Sequence, residues 1–353
     1  MRTLLTFILS FCLFHPAGSQ EKRVTLLFAG DAMQHMPQVH GALAGNGSYQ
    51  YDSCFYLVKE KIAAADIAGI NFETTLGGKP YSGYPQFSSP DAFAVALKHA
   101  GFDIFFQANN HAADRGRKGL ERTIAILDSL GIDHTGTFKS EETRQLYYPL
   151  MIIKNGIRIA FLNYTYDTNG LPVHAPNRVN LNDSNLIISD LLHTQFYKPD
   201  IIIAQMHWGE EYHNTPSPGQ KKLARLLLQH GVRIIIGHHP HVVQPLVVEK
   251  EDGLIRNAVY YSMGNFISNQ QRMHTDGGML AEIVISRKDA SSPVMIESCD
   301  YSFVWVQKVS RDGRMRFLLI PSPGDKIPDM QAEEKQKMNN FAAHAERMVQ
   351  QRF

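Results

Sequence analysis

The stretch Arg233-Ile234-Ile235-Ile236-Gly237-His238-His239-Pro240-His241 changes character at its glycine. Before it stands a short run of β-branched residues, the pattern of a strand buried on both faces. After it come His238, His239 and His241. A buried parallel strand delivers whatever follows it to the carboxyl edge of its sheet, where open α/β folds keep their functional crevice. The same transition occurs at four earlier places. Val24-Thr25-Leu26-Leu27-Phe28 leads to Gly30-Asp31, the run 67–71 to Glu73, the run 103–107 to Asn109-Asn110-His111, and the run 201–205 to His207.

Helical patterns separate these runs. They cover 54–65, 91–100, 119–130 (Leu120, Ile124, Leu127 and Leu130 share a face), 182–197 and 220–230. Pro90 behind Ser89 is expected to open its helix as a first-turn proline after a capping serine. Further strands are expected at 157–163 and 258–262, which gives the alternation of a layered α/β domain. After Gly277-Gly278 the texture changes: 279–285, 303–309 and 314–320 read as strands with no helix between them, an antiparallel extension of the same domain (277–322). The charged segment 329–353 is expected to be a surface helix with a frayed end.

The chain has 353 residues, enough for two domains of about 150 residues or one large α/β domain. With 44% hydrophobic and 20% charged residues, it has the material for a substantial core. Lys and Arg number 35 against 34 Asp and Glu, so the basic excess that marks a nucleic-acid partner is missing. A multispan membrane protein is excluded for want of any apolar run long enough to cross a bilayer. Arg2, the apolar stretch 4–14 and the small residues Ala17-Gly18-Ser19 read as an export signal over 1–19, interrupted by His15-Pro16. The expectation is a periplasmic or extracellular protein, membrane-anchored if the signal stays uncleaved. Cys12 lies in that segment; Cys54 and Cys299 remain, either as a disulfide or as two isolated core thiols.

Asp31, Glu73, Asn110, His207 and the 238–241 histidines together offer carboxylate, amide and imidazole donors. Imidazole suits zinc and iron, and carboxylates admit manganese. Such a set can hold one divalent ion, or two bridged by a carboxylate and about 3.5–4 Å apart, the arrangement that clamps a phosphoryl oxygen. Each residue alone has a plainer reading. Asp31 and Asn109-Asn110 are common turn formers, Glu73 could pair with a base, and His207 could pack on Trp208. All these readings would have to hold at once. Tyr84, Phe87, Trp208 and Tyr212 could line a groove, although aromatics at such positions more often belong to the core.

These motifs resemble the CapA-like proteins of bacterial capsule and poly-γ-glutamate synthesis, within the calcineurin-like metallophosphoesterase superfamily. The resemblance is carried by Gly30-Asp31, Asn71-Phe72-Glu73, Asn109-Asn110-His111-Ala112-Ala113-Asp114-Arg115, His207-Trp208-Gly209-Glu210-Glu211-Tyr212, Gly237-His238-His239-Pro240-His241 and Tyr261-Ser262-Met263-Gly264-Asn265. It spans most of 22–270 and implies a four-layer α/β/β/α sandwich. It also implies that Asp31 and His241 hold a first metal, that Asn110, His207 and His239 hold a second, and that Glu73 takes the bridging place. His111 would be a general acid steadied by Asp114. Asn109, Arg115, Glu210, His238 and Asn265 would meet the substrate.

Two departures stand out. The superfamily's usual pattern has a histidine two places after its first aspartate, where this chain has Met33, with His35 or water as substitutes. It also has an acidic residue after the Asn-His pair, where this chain has Ala112. The choice between His238 and His239 is open in the sequence; His239 is preferred with His241 because alternate residues of an extended segment face one side. The resemblance implies a metal-dependent hydrolase or transferase using metal-activated water, with manganese, zinc or iron as cofactor. Its substrate would be an anionic envelope or capsule polymer or a phosphoester, and its partners membrane-bound capsule synthesis components. The alternative is a non-catalytic polymer-binding assembly or export factor with a degenerate metal site.

Overall fold

A computed structural model describes residues 21–311, 313–322 and 328–352. The expected export signal at 1–19 and Cys12 lie outside the described residues. The first half runs β1 (Lys22–Ala32), α1 (Met36–Ala42), α2 (Asp52–Phe55), α3 (Lys59–Ala63), β2 (Ile67–Phe72), α4 (Asp91–Ala100), β3 (Ile104–Phe106), α5 (Gly116–Leu130) and β4 (Asp133–Thr135). Then come β5 (Thr137–Phe138), α6 (Glu141–Tyr147), β6 (Leu150–Lys154), β7 (Ile157–Thr165), β8 (Arg178–Val179), α7 (Ser184–Thr194), β9 (Ile201–His207), α8 (Pro218–Gln229) and β10 (Ile234–His238). The chain closes with β11 (Leu246–Glu251), β12 (Leu254–Tyr260), β13 (Asn265–Ile267), β14 (Gly277–Arg287), β15 (Met295–Arg311), β16 (Arg314–Ser322) and α9 (Ala332–Val349).

The strands β1 to β4 pair in parallel in that order, and so do β7, β9, β10 and β12. Between the two sets lie β14, antiparallel to β1, and β15, antiparallel to β14. The sets join through the single pairing Ile255↔Ile296 between β12 and β15. Side chains alternate across each strand, and this alternation builds the layers. Leu26, Phe28, Ile159, Phe161, Ile203 and Ile236 point into one central core. There the rings of Phe28 and Phe161, from opposite sets, lie 6.2 Å apart. Their neighbours Leu27 and Ala29 face α4 and α5 through Phe93, Leu97 and Leu127. On the other side Ile202, Ala204 and Ile235 face α7 and α8 through Leu191 and Leu227. The result is helix, sheet, sheet, helix: the four-layer sandwich.

The structure differs from the sequence expectations in several elements. The helix expected over 54–65 is broken into α2 and α3. Pro90 is the residue before α4, and the Ser89 hydroxyl pairs with Thr74 Oγ1 at 2.6 Å, so it is not free to cap. The serine-proline start is realised instead at Ser217-Pro218 of α8, where Ser217 Oγ accepts from the Gln220 amide. The antiparallel strands do extend the same domain, since β14 is zipped to β1 from Lys22↔Arg287 to Ala29↔Leu280. The helix α9 is not merely superficial: Met338, Phe341, Ala345 and Val349 close one side of the central core. Cys54 and Cys299 are both free thiols.

Two glycines let the strands that carry the site approach their neighbours. A Cβ on Gly30 would lie 2.0 Å from the Gly264 carbonyl oxygen, and one on Gly237 would lie 2.0 Å from that of Tyr261. Both contacts are backbone, so relief requires moving a strand. Gly237→Ala is therefore expected to destabilise by about 1–3 kcal/mol. It should also lower metal retention, because His238, His239 and His241 follow it directly. Urea unfolding with metal analysis checks both.

Candidate metal centre

Strand register assembles the site before any loop contributes. Asp31 near the end of β1 pairs across to Asn71 of β2 and Asn265 of β13. His207, the last residue of β9, lies opposite His238, the last of β10. The β1 register slips between Ala29 and Asp31, a bulge that re-aims the aspartate. Glu73 follows β2, and the loop after β10 brings round His239 and His241, both at positive φ (+97° and +58°). That segment is not extended, so the alternation argument fails. The two rings nonetheless enter one cluster because the backbone turns at each.

All these side chains are buried. Ligand atoms of Asp31, Glu73 and His207 lie within 4.8 Å of one another, and so do those of Glu73, His239 and His241. Glu73 is the member common to both sets. His241 Nδ1 lies 3.0 Å from Asp31 Oδ2, and His207 Nε2 lies 3.7 Å from Glu73 Oε1. Asn110 turns its Oδ1 to His207 Nε2 at 2.9 Å. Asn265 Oδ1 stands 3.1 Å from His241 Nδ1.

The electrostatics leave this cluster short of positive charge. Burial alone would raise the Asp31 carboxyl, but hydrogen bonds from His238 and His241 outweigh it and hold Asp31 well below its ordinary range. Burial, with the Asp31 charge beside it, pushes Glu73 well above its ordinary range. Burial and neighbouring imidazoles push His207 well down and His239 down to about 3. Neutral imidazoles beside carboxylates are the protonation state that a divalent cation requires. Glu73 Oε1 and His239 Nδ1 are buried without a hydrogen-bond partner. Buried orphan acceptors are costly and call for an ion. The donor set therefore fits a divalent metal.

The pair expected to act as general acid, His111 and Asp114, is also joined. His111 Nδ1 is 2.7 Å from Asp114 Oδ2, which also accepts the Phe87 amide at 2.6 Å. The Phe87 ring meets the imidazole edge-on at 4.5 Å. Asn109 orients the segment by donating to the Phe72 carbonyl and accepting the His111 amide. Of the other expected substrate contacts, Asn265 is in the cluster, whereas His238 is wholly buried beneath it, its Nε2 held by Gln205 Oε1 at 2.9 Å. Arg115 reaches instead for the Pro80 carbonyl, and Glu210 lies exposed beside His213. Met33 is buried, and His35 is tied to Gln38 and to the Asn269 amide. Trp208 and Phe87 are core, while Tyr84 is exposed.

Four contributors escaped the sequence reading. Glu211 Oε1 lies 3.9 Å from His241 Nε2, and the Tyr166 ring lies 4.5 Å from that of His239. Gln205 sits two residues before His207 on the same strand face, a signal available in the period. Asn71 is the most central: its Nδ2 lies 2.7 Å from Asp31 Oδ1, 3.3 Å from Glu73 Oε2 and 3.3 Å from His207 Nδ1. Asn71→Ala is expected to weaken metal binding by about 10–100-fold, as loss of a ligand-orienting contact does. Competition against a chelating dye measures it.

The fold is shared with a Staphylococcus aureus protein described as a 5′-nucleotidase in complex with α-ketoglutarate (TM-score 0.51, 14% identity, 90% of this chain and 58% of that one). It is shared too with the NAD nucleotidase of Haemophilus influenzae (TM-score 0.50, 12% identity, 92% and 63%). In sequence the chain is 28% identical over 277 residues to the capsule biosynthesis protein CapA of Bacillus anthracis, covering 74% of this chain and 64% of that protein. It is 30% identical over 242 residues to the PGA biosynthesis protein CapA of Bacillus subtilis, covering 65% and 60%. The chain thus spans just under two thirds of the length of these curated relatives. Residues 25–270 match the family model described as bacterial capsule synthesis protein PGA_cap, and the chain belongs to that family.

Proposed function

We propose that the chain is an exported metal-dependent hydrolase or transferase acting on an anionic capsule or envelope polymer of the poly-γ-glutamate type, or on a phosphoester. The observation that carries this reading is the buried convergence of Asp31, Glu73, His207, His239 and His241 with orphan acceptors at its centre. The relatives' names, capsule and PGA biosynthesis, supply the polymer. Export would place the chain beside membrane-bound components of capsule synthesis.

The five residues, with Asn110, would hold one or two divalent ions: manganese, zinc or iron. A bound ion supplies Lewis acidity and lowers the pKa of water. The chain's own residues do the rest. His111 would pass a proton from Nε2 to the leaving group, its Nδ1 being occupied by Asp114. Phe87 and Tyr166 would wall the site against bulk water. Met33 favours a second reading: an apolar side chain buried two residues after Asp31 supplies no imidazole there, as in a site kept for binding alone.

One experiment separates the two. Chelator-stripped protein is reloaded with manganese and offered a nitrophenyl phosphodiester and poly-γ-glutamate. Turnover abolished by Asp31→Asn is expected. Turnover equal in wild type and Asp31→Asn would end the enzyme reading, and polymer retention without turnover would favour assembly.

A further inference from the structure

The buried cluster at the strand ends opens, one side chain away, onto a groove. The loop 269–276 and α9 face each other across a cavity of about 540 Å³, lined among others by Gln270, Arg272, Trp305 and Lys308. Gln270 joins it to the centre. Its Oε1 accepts from Asn265 Nδ2 at 2.9 Å, and its Nε2 donates to the Tyr212 hydroxyl at 3.3 Å. Both partners touch the cluster, since Asn265 Oδ1 lies 3.1 Å from His241 Nδ1 and the Tyr212 ring 6.0 Å from that of His241. The groove is preformed, because His274 of the loop and His344 of α9 stack with ring centroids 3.5 Å apart and planes 5° from parallel.

The groove lining carries three cations, Arg272, Lys308 and Lys337, against two carboxylates, Asp276 and Glu334, and Lys337 is paired with Glu333. Lys308 is largely buried, and its Nζ donates to the Gln270 carbonyl at 2.8 Å. Among the described residues it makes no ion pair. The nearby Asp276 carboxylate is engaged by Trp305 Nε1 at 2.7 Å, and Glu334 accepts from Gln307 at 3.2 Å. The exposed Arg272 guanidinium stands 4.3 Å over the Tyr212 ring and likewise makes no ion pair among the described residues. Asp276 offsets part of the charge of the largely buried Lys308 ammonium, and an anion arriving beside Lys308 and Arg272 supplies the rest.

We infer that this groove is an oxyanion subsite, in which Lys308 and Arg272 hold a carboxylate or phosphate of one repeating unit while the next unit lies at the metal centre. This rests on the reading of that centre as one serving an anionic polymer, and it assigns the polymer's direction across the surface, from His241 past Tyr212 towards α9.

The test titrates the full chain, metal-loaded, into fluorescein-labelled poly-γ-glutamate and, separately, labelled polyphosphate, reading anisotropy. Wild type is expected to bind at least one of them with an affinity that falls as salt rises. Arg272→Ala and Lys308→Met are each expected to weaken binding about tenfold or more, the loss of one charge-assisted contact, with metal content unchanged. The polymer bound more tightly identifies the oxyanion. Equal affinity in wild type and both variants, or no binding of either polymer by wild type, overturns the subsite. Metal content and phosphodiester turnover measured on the same samples judge the centre separately. Should Lys308→Met fail to fold, the exposed Arg272→Ala carries the test.

Discussion

Asp31→Asn is expected to leave the purified protein with almost no bound divalent metal while its fold persists. The substitution changes little in shape but removes the charge at the middle of the cluster. Asp31 touches Asn71 Nδ2 at 2.7 Å, His241 Nδ1 at 3.0 Å, the His239 amide at 3.4 Å and His238 Nδ1 at 3.5 Å. It is also the carboxylate that its neighbours hold ionised, whereas Glu73 is pushed towards its protonated form. Losing it removes both a ligand atom and the charge that compensates a cation. A drop in affinity beyond the 10–100-fold typical of an orienting contact is expected. Metal content by mass spectrometry, compared with circular dichroism of the same sample, checks it. His207→Ala should behave alike, because His207 links Glu73 to Asn110.

The largest loss of stability is expected outside the cluster of candidate ligands. Arg144 Nη2 lies 2.5 Å from Asp190 Oδ2, with both side chains at most a tenth exposed. The Tyr164 hydroxyl donates to the same oxygen at 2.9 Å, and Arg144 Nε donates to Asn180 Oδ1 at 2.6 Å. This network ties α6 to α7 and β7 behind the second half of the sheet. Asp190→Ala strands a buried guanidinium and leaves Tyr164 without its acceptor, which is expected to cost about 3–5 kcal/mol. Asp190→Asn keeps an acceptor for Tyr164 and should lose less. Urea unfolding of both variants gives the comparison.

The layered fold was legible because strand period and chain order carry it. Ile234 and Ile236 against Ile235, and Leu26 and Phe28 against Leu27, already state which residues face the central core and which face the helices. The convergence of Asp31, Glu73, Asn110 and His207 follows from strand ends, whereas His239 and His241 are brought in by the turn after β10. What stayed hidden depends on loop rotation. Glu210 and Glu211 are adjacent, yet only Glu211 approaches His241, because Gly209 and Tyr212 turn the chain at φ of +89° and +65°. His238 and His239 differ likewise: the strand keeps His238 beneath the cluster on Gln205, and the turn lifts His239 towards His207. The central place of Asn71 was obscured for another reason. Its motif drew attention to the carboxylate beside it, and only the β1–β2 register sets its amide against Asp31.

The buried cluster at the strand ends is proposed to hold a divalent cation. Its most direct test is titration of chelator-stripped wild-type protein with manganese and with zinc, following heat of binding and thermal unfolding together. Saturable binding of at least one ion per chain and a higher Tm are expected, since a ligand that binds only the native state stabilises it. No heat of binding from either ion, with melting curves that overlay those taken in chelator, would contradict it.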